Sequence, residues 1–330
     1  MYRSILLALD GSPFAEAAAP VAARLAAASH ATLHLVVVHE WLSHWTPLDP
    51  TIAQMTLNQI DEHGRRESKA YVGRLAAQLR AEYGIRARPM VLEGIPADEI
   101  RLYATQQHID LVVMTTHGRG GVSRLWLGSV ADTLVRRLDK PVLLCRGGTA
   151  RGPICTVPFR RILVPLDGSV GSERALDMAA DLSEAAPGSA LGLMMVVSPH
   201  YLVFPEFGVG GVGPEVTDAA QRGEYAREYL ATLEARLASR GIESAVVVDV
   251  AADVAKAILE EARRTRADVI AIATRGRGGV PRMVIGSVAD KVIRAADQPV
   301  LVCRSAGRAS RLAPAYARAI AHLQPAVAGR

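Results

Sequence analysis

Cysteines and long apolar runs are both scarce in this sequence of 330 residues. The three cysteines are widely spaced and odd in number, which argues against a disulfide framework and suits a reducing compartment. The first apolar run, Ile5 to Leu9, stops at Asp10, and no run reaches the roughly 18 apolar residues that a membrane span requires. We therefore expect a cytoplasmic protein that is neither secreted nor inserted in a membrane.

Clustered charge is missing as well. The formal net charge is +5, and the basic residues are scattered along the chain rather than gathered in one arm. Solvated helix faces account for this pattern, which favours small anionic ligands only weakly, and we expect no nucleic-acid partner. Hydrophobic residues make up 50% of the chain and charged residues 22%, as in ordinary globular proteins, and the length suggests two domains.

An internal repeat is the clearest feature that is present. Gly118 and Gly276 are separated by 158 residues, and near the start Asp10 and Asp167 are separated by 157. A period of this length indicates duplicated domains, because each copy is long enough to bury a core of its own. The predicted division is a first domain at 1–147, a linker at 148–159, a second domain at 160–306 and a tail, helical or disordered, at 307–330.

Short β-branched runs alternate with longer helical patterns within each copy. The short runs are almost continuously apolar, which is typical of parallel strands that are covered by helices on both faces. This order predicts an α/β fold with a doubly wound, parallel, five-stranded sheet in each copy. In the first copy the predicted strands are 3–9, 32–38, 88–92, 111–114 and 142–145, and the predicted helices are 14–28, 51–79, 97–107 and 130–138.

An acidic residue follows the first strand of each copy. Asp10 and Asp167 each open an Asp-Gly-Ser triplet. A carboxylate at the carboxyl end of this strand faces the crevice where doubly wound sheets bind ligands, and it can accept hydrogen bonds from ribose hydroxyls. Aspartate and serine are also favoured at helix N-caps, so a purely structural role is an equal alternative.

A second motif follows the fourth strand and runs into a helix. In the first copy nine residues separate Gly118 from the pair Gly128-Ser129. Glycine lets a phosphate approach the backbone, and an anion at a helix start meets N–H groups and the positive end of the helix dipole. In the alternative, Gly118 makes a turn and Ser129 caps its helix, which explains two identically spaced copies less well. The second copy has the same spacing at Gly276, Gly286 and Ser287.

Neither copy has the lysine of a G-x-x-x-x-G-K-[ST] phosphate loop at this place. Arg119 and Arg277, one residue after the turn glycines, are the candidate cationic substitutes. The alternative is that both arginines are only solvated.

These motifs resemble those of the universal stress protein family, whose phosphate motif is G-2x-G-9x-G-[ST]. The resemblance spans both copies, from residue 1 to about 306. It implies a Rossmann-like fold of the adenine nucleotide alpha hydrolase type and the binding of ATP, with or without Mg²⁺. Transferred position by position, the resemblance assigns ATP contacts to the side chains of Asp10 and Asp167, the main chain of Val38 and Val196, and the motif residues Gly118, Gly128, Ser129, Val130, Gly276, Gly286, Ser287 and Val288.

The sequence departs from the family pattern in two places. Thr115 and Ala273 replace the first motif glycine, so a side chain lies where the family often has none. Gly94 follows the third strand in a loop that the family places near the ligand, and Ala252 is read as its counterpart. We expect altered affinity in both sites and tighter binding in the first.

Each copy closes on a strand that the family commonly uses to pair subunits or domains, at 140–146 and 298–304. Uncovered strand edges invite association, so we expect a homodimer or pairing between the two domains. A buried edge strand without a partner is the alternative.

No catalytic set recurs in both copies. His117 is the best candidate for a general base, but its counterpart is Arg275, which does not act as a base at neutral pH. His39, His44 and His63 lack a partner set, so no metal site is predicted. The resemblance implies at most weak ATP hydrolysis and a regulatory role in stress response or growth arrest. The alternatives are a slow ATPase or nucleotide-dependent transferase, and a nucleotide-free dimerisation module.

Overall fold

The computed structural model describes residues 2–40, 50–116, 127–146, 159–186, 188–197, 215–274 and 285–304, with side chains from 61 and from 221 in the helices that begin at Pro50 and Glu215. The chain separates into two units, Met1–Pro158 and Phe159–Arg330, which we call domain one and domain two. The predicted linker, apart from residue 159, and the predicted tail lie outside the described residues.

Domain one is a parallel sheet with helices between its strands. The strands run in the order β3-β2-β1-β4-β5 across the sheet, and every neighbouring pair is parallel. The strands are β1 (Ser4–Leu9), β2 (Thr32–His39), β3 (Arg86–Glu93), β4 (Leu111–Thr115) and β5 (Val142–Cys145). The helices are α1 (Pro13–Glu16), α2 (Ala19–Ser29), α3 (Pro50–Tyr83), α4 (Pro96–Gln106) and α5 (Ser129–Arg137).

Domain two repeats this architecture in the order β8-β7-β6-β9-β10, again with parallel neighbours. The predicted fold class is therefore confirmed. The strands are β6 (Arg161–Leu166), β7 (Ala190–Val197), β8 (Glu243–Val250), β9 (Val269–Ala273) and β10 (Val300–Cys303). The helices are α6 (Val170–Glu184), α7 (Glu215–Ala238), α8 (Val254–Arg264) and α9 (Ser287–Ala295).

The strand order places the carboxyl ends of β1 and β4 side by side. Leu7 of β1 lies opposite Val113 of β4, so both strands end at the same edge of the sheet. The order reverses at β1, whose other neighbour is β2, and ligands of doubly wound sheets bind at such reversals. All residues of β4 and β5 are buried, as continuous apolar runs covered on both faces require.

The first helix of domain one is broken where the sequence predicted one helix over 14–28. α1 ends at Glu16 and α2 begins at Ala19, with Pro20 in its first turn. Proline has no N–H to donate to the carbonyl four residues earlier, and its ring collides with that carbonyl. Domain two has Asp177 at the equivalent position, and its helix α6 is continuous.

Aspartates fasten the opposite, amino edge of each sheet. In domain one Asp110 Oδ2 accepts hydrogen bonds from the amides of Arg3, at 2.7 Å, and Ser4, at 3.0 Å. In domain two Asp268 Oδ2 accepts from the amides of residues 160 and 161, at 2.8 and 2.9 Å. Both carboxylates tie the start of the first strand to the start of the fourth.

A buried polar pair joins β2 and α4 in domain one only. His34 Nδ1 lies 2.9 Å from the hydroxyl of Tyr103, and the two rings pack edge to face with centroids 5.7 Å apart. Burial, and secondarily the charge of Arg88, lowers the pKa of His34, and burial raises the pKa of Tyr103. Domain two has Gly192 and Glu261 at the equivalent positions.

Among the helices within the described ranges, none is long and apolar enough to cross a bilayer.

Candidate functional site

The loop after β1 is a tight turn closed by Asp10. Gly11 has φ +81°, a left-handed conformation that favours glycine, and the Ser12 amide donates to Asp10 Oδ1 at 2.9 Å. The Ser12 hydroxyl accepts from the amide of Ala15 at 3.2 Å and caps α1. The capping role that the sequence left open for the triplet therefore belongs to Ser12, and Asp10 closes the turn beside it.

Domain two has the same turn with one additional bond. Gly168 has φ +76°, and the Ser169 amide and hydroxyl both donate to Asp167 Oδ1, at 3.0 and 2.6 Å. The Ser169 hydroxyl in turn accepts from the amide of Ser172 at 3.2 Å and caps α6. Both aspartates are thus held at the carboxyl end of a central strand.

Main-chain bonds bring the start of the following helix to the end of β4. The Thr116 amide donates to the carbonyl of Cys145 at 2.9 Å, and the Gly128 amide donates to the carbonyl of Thr116 at 2.8 Å. Two residues that lie 12 positions apart are therefore in direct contact. In domain two the equivalent bonds, Thr274 to Cys303 and Gly286 to Thr274, are 2.8 and 2.7 Å long.

Glycine is the N-cap of both helices that follow the fourth strands. Gly128 caps α5 with φ −58° and ψ 150°, and Gly286 caps α9 with φ −63° and ψ 148°; neither supplies a side-chain hydrogen bond. The cap is thus Gly128 and not Ser129, which is the first helical residue, and this corrects the capping alternative. Ser129 and Ser287 are exposed, and Val130 and Val288 are half-buried.

The two residues that replace the first motif glycine lie at the ends of the fourth strands. Thr115 is the last residue of β4 and Ala273 the last of β9, and the side chains of both are buried. The turn glycines Gly118 and Gly276 and the arginines Arg119 and Arg277 fall outside the described residues, as do His117 and Arg275.

The loop after the third strand differs between the domains. The Gly94 amide donates to the carbonyl of His39 at 3.1 Å, and Gly94 has φ +133°, which favours glycine. The equivalent bond in domain two joins the Ala251 amide to the carbonyl of Val197 at 3.1 Å. The main-chain counterpart of Gly94 is thus Ala251 and not Ala252, because domain two has one more residue before the next helix.

The two valines expected at the adenine lie just before these bonded residues. Val38 is the second-last residue of β2 and pairs with Leu92 of β3. Val196 is the second-last residue of β7 and pairs with Asp249 of β8.

His39 has a partner that the sequence analysis missed. It is the last residue of β2, and its Nε2 lies 2.7 Å from Asp61 Oδ1 on α3. Next to this pair, Arg65 Nε lies 3.0 Å from Glu93 Oε1 at the end of β3. Gly64 interrupts the helical pattern of this segment, one residue before Arg65 and four before Ser68. This glycine was the one sign in the sequence that a side chain from another element packs against the helix.

Charged side chains at the same edge of domain two are arranged differently. Asp253 caps α8 by accepting from the Lys256 amide at 3.2 Å, and Lys291 Nζ of α9 lies 3.4 Å from its Oδ2. The hydrogen bond from the Lys256 amide is the largest cause that holds the pKa of the Asp253 carboxyl below its ordinary value; desolvation, the next largest, opposes it, and the Lys291 ammonium lowers the pKa further. Across the described part of both domains, no three His, Cys, Asp or Glu side chains are grouped so as to hold a metal ion.

The family model of the universal stress proteins, described as "Universal stress protein family", matches this chain twice, at residues 1–146 and 158–304. Rv2005c, a universal stress protein of Mycobacterium tuberculosis, is 27% identical over 305 residues, which cover 92% of this chain and 97% of that protein. A universal stress protein of Thermus aquaticus is 35% identical over 147 residues, which are 44% of this chain and 100% of that protein.

The fold is shared with solved members of the same family. A universal stress protein from Archaeoglobus fulgidus superposes with a TM-score of 0.63 over 92% of this chain and 98% of its own, at 22% identity. Together with the double match of the family model, this places one family domain in each half. The chain belongs to the universal stress protein family.

Proposed function

We propose that each domain binds one ATP at the carboxyl edge of its sheet, and that the protein acts as a nucleotide-responsive regulator in stress response or growth arrest. The observation that carries this proposal is the pair of glycine N-caps. Extended angles such as those of Gly128 and Gly286 are open to any residue, so the backbone conformation does not call for glycine.

Helix stability does not call for glycine at these caps either. Serine, aspartate and asparagine are preferred there, because their side chains accept a hydrogen bond from the first turn, which glycine cannot do. The first-turn amides of α5 and α9 thus receive no acceptor from their cap residue. These amides and the positive end of the helix dipole favour a phosphate, and the cap has no side chain in its way.

The aspartates supply the other end of the proposed site. Asp10 and Asp167 are fixed by their turns, since one oxygen of each accepts a hydrogen bond from the peptide two residues later. A carboxylate has about four acceptor positions, so the same group can also receive the ribose hydroxyls. The sugar would then lie between this carboxylate and the helix that starts at the glycine cap.

The remaining contacts follow from the family pattern. We propose that the main chain of Val38 and Val196 contacts the adenine, that Gly94 lines the base in domain one, and that Thr115 and Ala273 line the phosphate side. Magnesium would arrive with the nucleotide. The phosphates would be held by Gly118, Arg119, Gly128, Ser129 and Val130 in domain one and by Gly276, Arg277, Gly286, Ser287 and Val288 in domain two.

Turnover is not part of the proposed role. Hydrolysis needs a group that orients or activates the attacking water, and His117 has no equivalent in domain two, where Arg275 stands. We propose at most weak hydrolysis, with the bound nucleotide as the signal. We further propose that β5 and β10 serve as pairing strands, in a homodimer or between the domains of one chain, and that the domains end near residues 147 and 306 in a cytoplasmic protein.

Nucleotide binding is tested by thermal unfolding with and without ATP. For a dissociation constant on the order of 10 µM, millimolar ATP stabilises the fold by about 2.7 kcal/mol. This corresponds to a rise in Tm of roughly 5 to 10 °C, at about 2 to 4 °C per kcal/mol. The double variant Gly118→Val/Gly276→Val is expected to lose the rise. A full ATP response in that variant, or no response in the wild type, would contradict the proposal.

A further inference from the structure

The end of β2 in domain one is attached to helix α3 by a side-chain hydrogen bond. His39 Nε2 and Asp61 Oδ1 are 2.7 Å apart, and the exposed fractions of the two side chains are 16% and 19%. A carboxylate only accepts, so the imidazole donates, and bonds to a charged acceptor are about twice as strong as neutral ones. The contact therefore fixes the last residue of the strand relative to the helix.

Gly64 provides the space that the imidazole occupies. A Cβ at this position would lie 2.8 Å from His39 Cε1, and Cβ atoms in proteins essentially never lie within 3.0 Å of another heavy atom to which they are not bonded. Gly73, in the same helix, has open space at the equivalent atom, with nothing within 4 Å. A helical glycine costs about 1 kcal/mol relative to alanine at either position, and only at Gly64 does the imidazole fill the space that a Cβ would take.

The main chain around His39 is held on its other side as well. Its carbonyl accepts from the Gly94 amide at 3.1 Å, and the residue pairs in register with Glu93, whose carboxylate contacts Arg65 at 3.0 Å. Val38, the proposed adenine contact, directly precedes this residue. Any rotation of the peptides at the end of β2 would therefore break contacts to both α3 and β3.

Domain two keeps the main-chain contact and has neither side-chain contact. Val197 and Val250 occupy the positions of His39 and Glu93, and an aliphatic side chain forms no hydrogen bond or ion pair. The bond from the Ala251 amide to the Val197 carbonyl, at 3.1 Å, is retained. The two domains therefore differ in how firmly the base-binding end of the second strand is held.

We infer that the His39–Asp61 pair is a positioning pair for the adenine in domain one, and that it makes this site the tighter of the two. This inference rests on the proposed function. The pair does not touch the nucleotide; it acts through Val38, whose peptide groups it holds in the orientation that the base requires. A site organised before binding loses less entropy on binding and has higher affinity.

The test uses full-length protein in which Gly286→Asp places a carboxylate at the phosphate end of the second site, and it measures the Kd of ATP by calorimetry. His39→Val and Asp61→Ala are each expected to weaken ATP binding about five- to tenfold, and the double variant no further, because both remove one contact. Asp61→Asn keeps an acceptor oxygen and is expected to restore most of the affinity. Inorganic tripolyphosphate, which has no base, is expected to bind equally well to all of these variants.

Two glycine variants separate positioning from helix stability. Gly64→Ala and Gly73→Ala both increase helix propensity, so a change in propensity should not lower the Tm of either variant. Only Gly64→Ala displaces the imidazole, so it alone is expected to weaken ATP binding. An unchanged Kd in both His39→Val and Gly64→Ala, or equal weakening in Gly73→Ala, would overturn the inference while leaving ATP binding intact. A wild-type protein that binds no ATP would overturn the proposed function and this inference together.

Discussion

A carboxylate at the glycine caps should destroy nucleotide binding without destabilising the protein. In Gly128→Asp, the new side chain would accept from the first-turn amides of α5, which Gly128 leaves without a side-chain acceptor. Aspartate is favoured over glycine at an N-cap by a few tenths of a kcal/mol, and a negative charge at a helix start adds about 0.3 to 1 kcal/mol. Together these effects raise Tm by roughly 1 to 4 °C.

The same charge opposes a phosphate. Two unit charges about 4 Å apart near a protein surface repel by about 4 kcal/mol, and each 1.4 kcal/mol is about a factor of ten in Kd. We therefore expect Gly128→Asp to weaken ATP binding in domain one about a thousandfold, and Gly286→Asp to do the same in domain two. Added salt should reduce the loss, because it screens exposed charges.

Gly128→Asn is the matched control, because asparagine caps the helix equally well and carries no charge. Titration calorimetry of each variant, with Tm measured by differential scanning calorimetry, separates the two effects. The asparagine variant is expected to lose only the part of the ATP affinity that comes from the first-turn amides, because its side chain occupies them. The difference in Kd between the asparagine and aspartate variants then measures the effect of the charge. If Gly128→Asp and Gly128→Asn bind ATP equally, no phosphate lies at this helix start and the assignment of the site is refuted.

Two further predictions concern buried groups. Because the pKa of His34 is lowered in the folded protein, the unfolded chain binds a proton at this residue before the folded chain does as the pH falls below about 6.5. The free energy of unfolding therefore falls by up to about 1.4 kcal/mol per pH unit, until the pH reaches the pKa of His34 in the folded state. Urea titrations from pH 7.5 to 5 should show this loss in the wild type and less of it in His34→Gln, and parallel curves would contradict it. Burial raises the pKa of Cys303 to about 12, although Arg174 opposes the shift, so iodoacetamide at pH 8 should label this thiol only after unfolding. Peptide mass spectrometry follows the labelling, and rapid modification of the native protein would be inconsistent with this burial.

The strands were predictable because each is a short apolar run bounded by polar residues. β5 at Val142–Cys145 matches its predicted range, and β4 extends the predicted range by Thr115. The segment 14–28 was predicted as one continuous helix, although Pro20 carried the information that it had to break into α1 and α2. Local patterns therefore predict element type well and element ends less well.

The candidate site was predictable only where its residues recur at a fixed spacing. Asp10 and Gly128 were selected as candidates because Asp167 and Gly286 repeat them in the second copy. The structure places Asp10 and Gly128 at the carboxyl edge of the strands of domain one, and Asp167 and Gly286 at the same edge of domain two. The predicted equivalence of Ala252 with Gly94 was wrong by one residue, because a constant offset between the two copies does not account for a single-residue insertion in the loop after the third strand.

The contact between His39 and Asp61 was missed for a different reason. It occurs in one copy only and joins a strand end to a long helix 22 positions away, so neither repetition nor periodicity indicates it. Contacts of this kind depend on how a helix packs across a sheet, which the pattern of apolar residues constrains to a face but not to a pair of side chains.

Asp110 and Asp268 give the two sheets an identical fastening at the edge opposite the candidate sites. The pairing of the first and fourth strands is thus secured at one edge in both domains, while at the other edge the loop after the third strand differs in length and in side-chain contacts. A duplicated domain of this kind keeps the same strand pairing in both copies, while the contacts at the carboxyl edge differ between the copies.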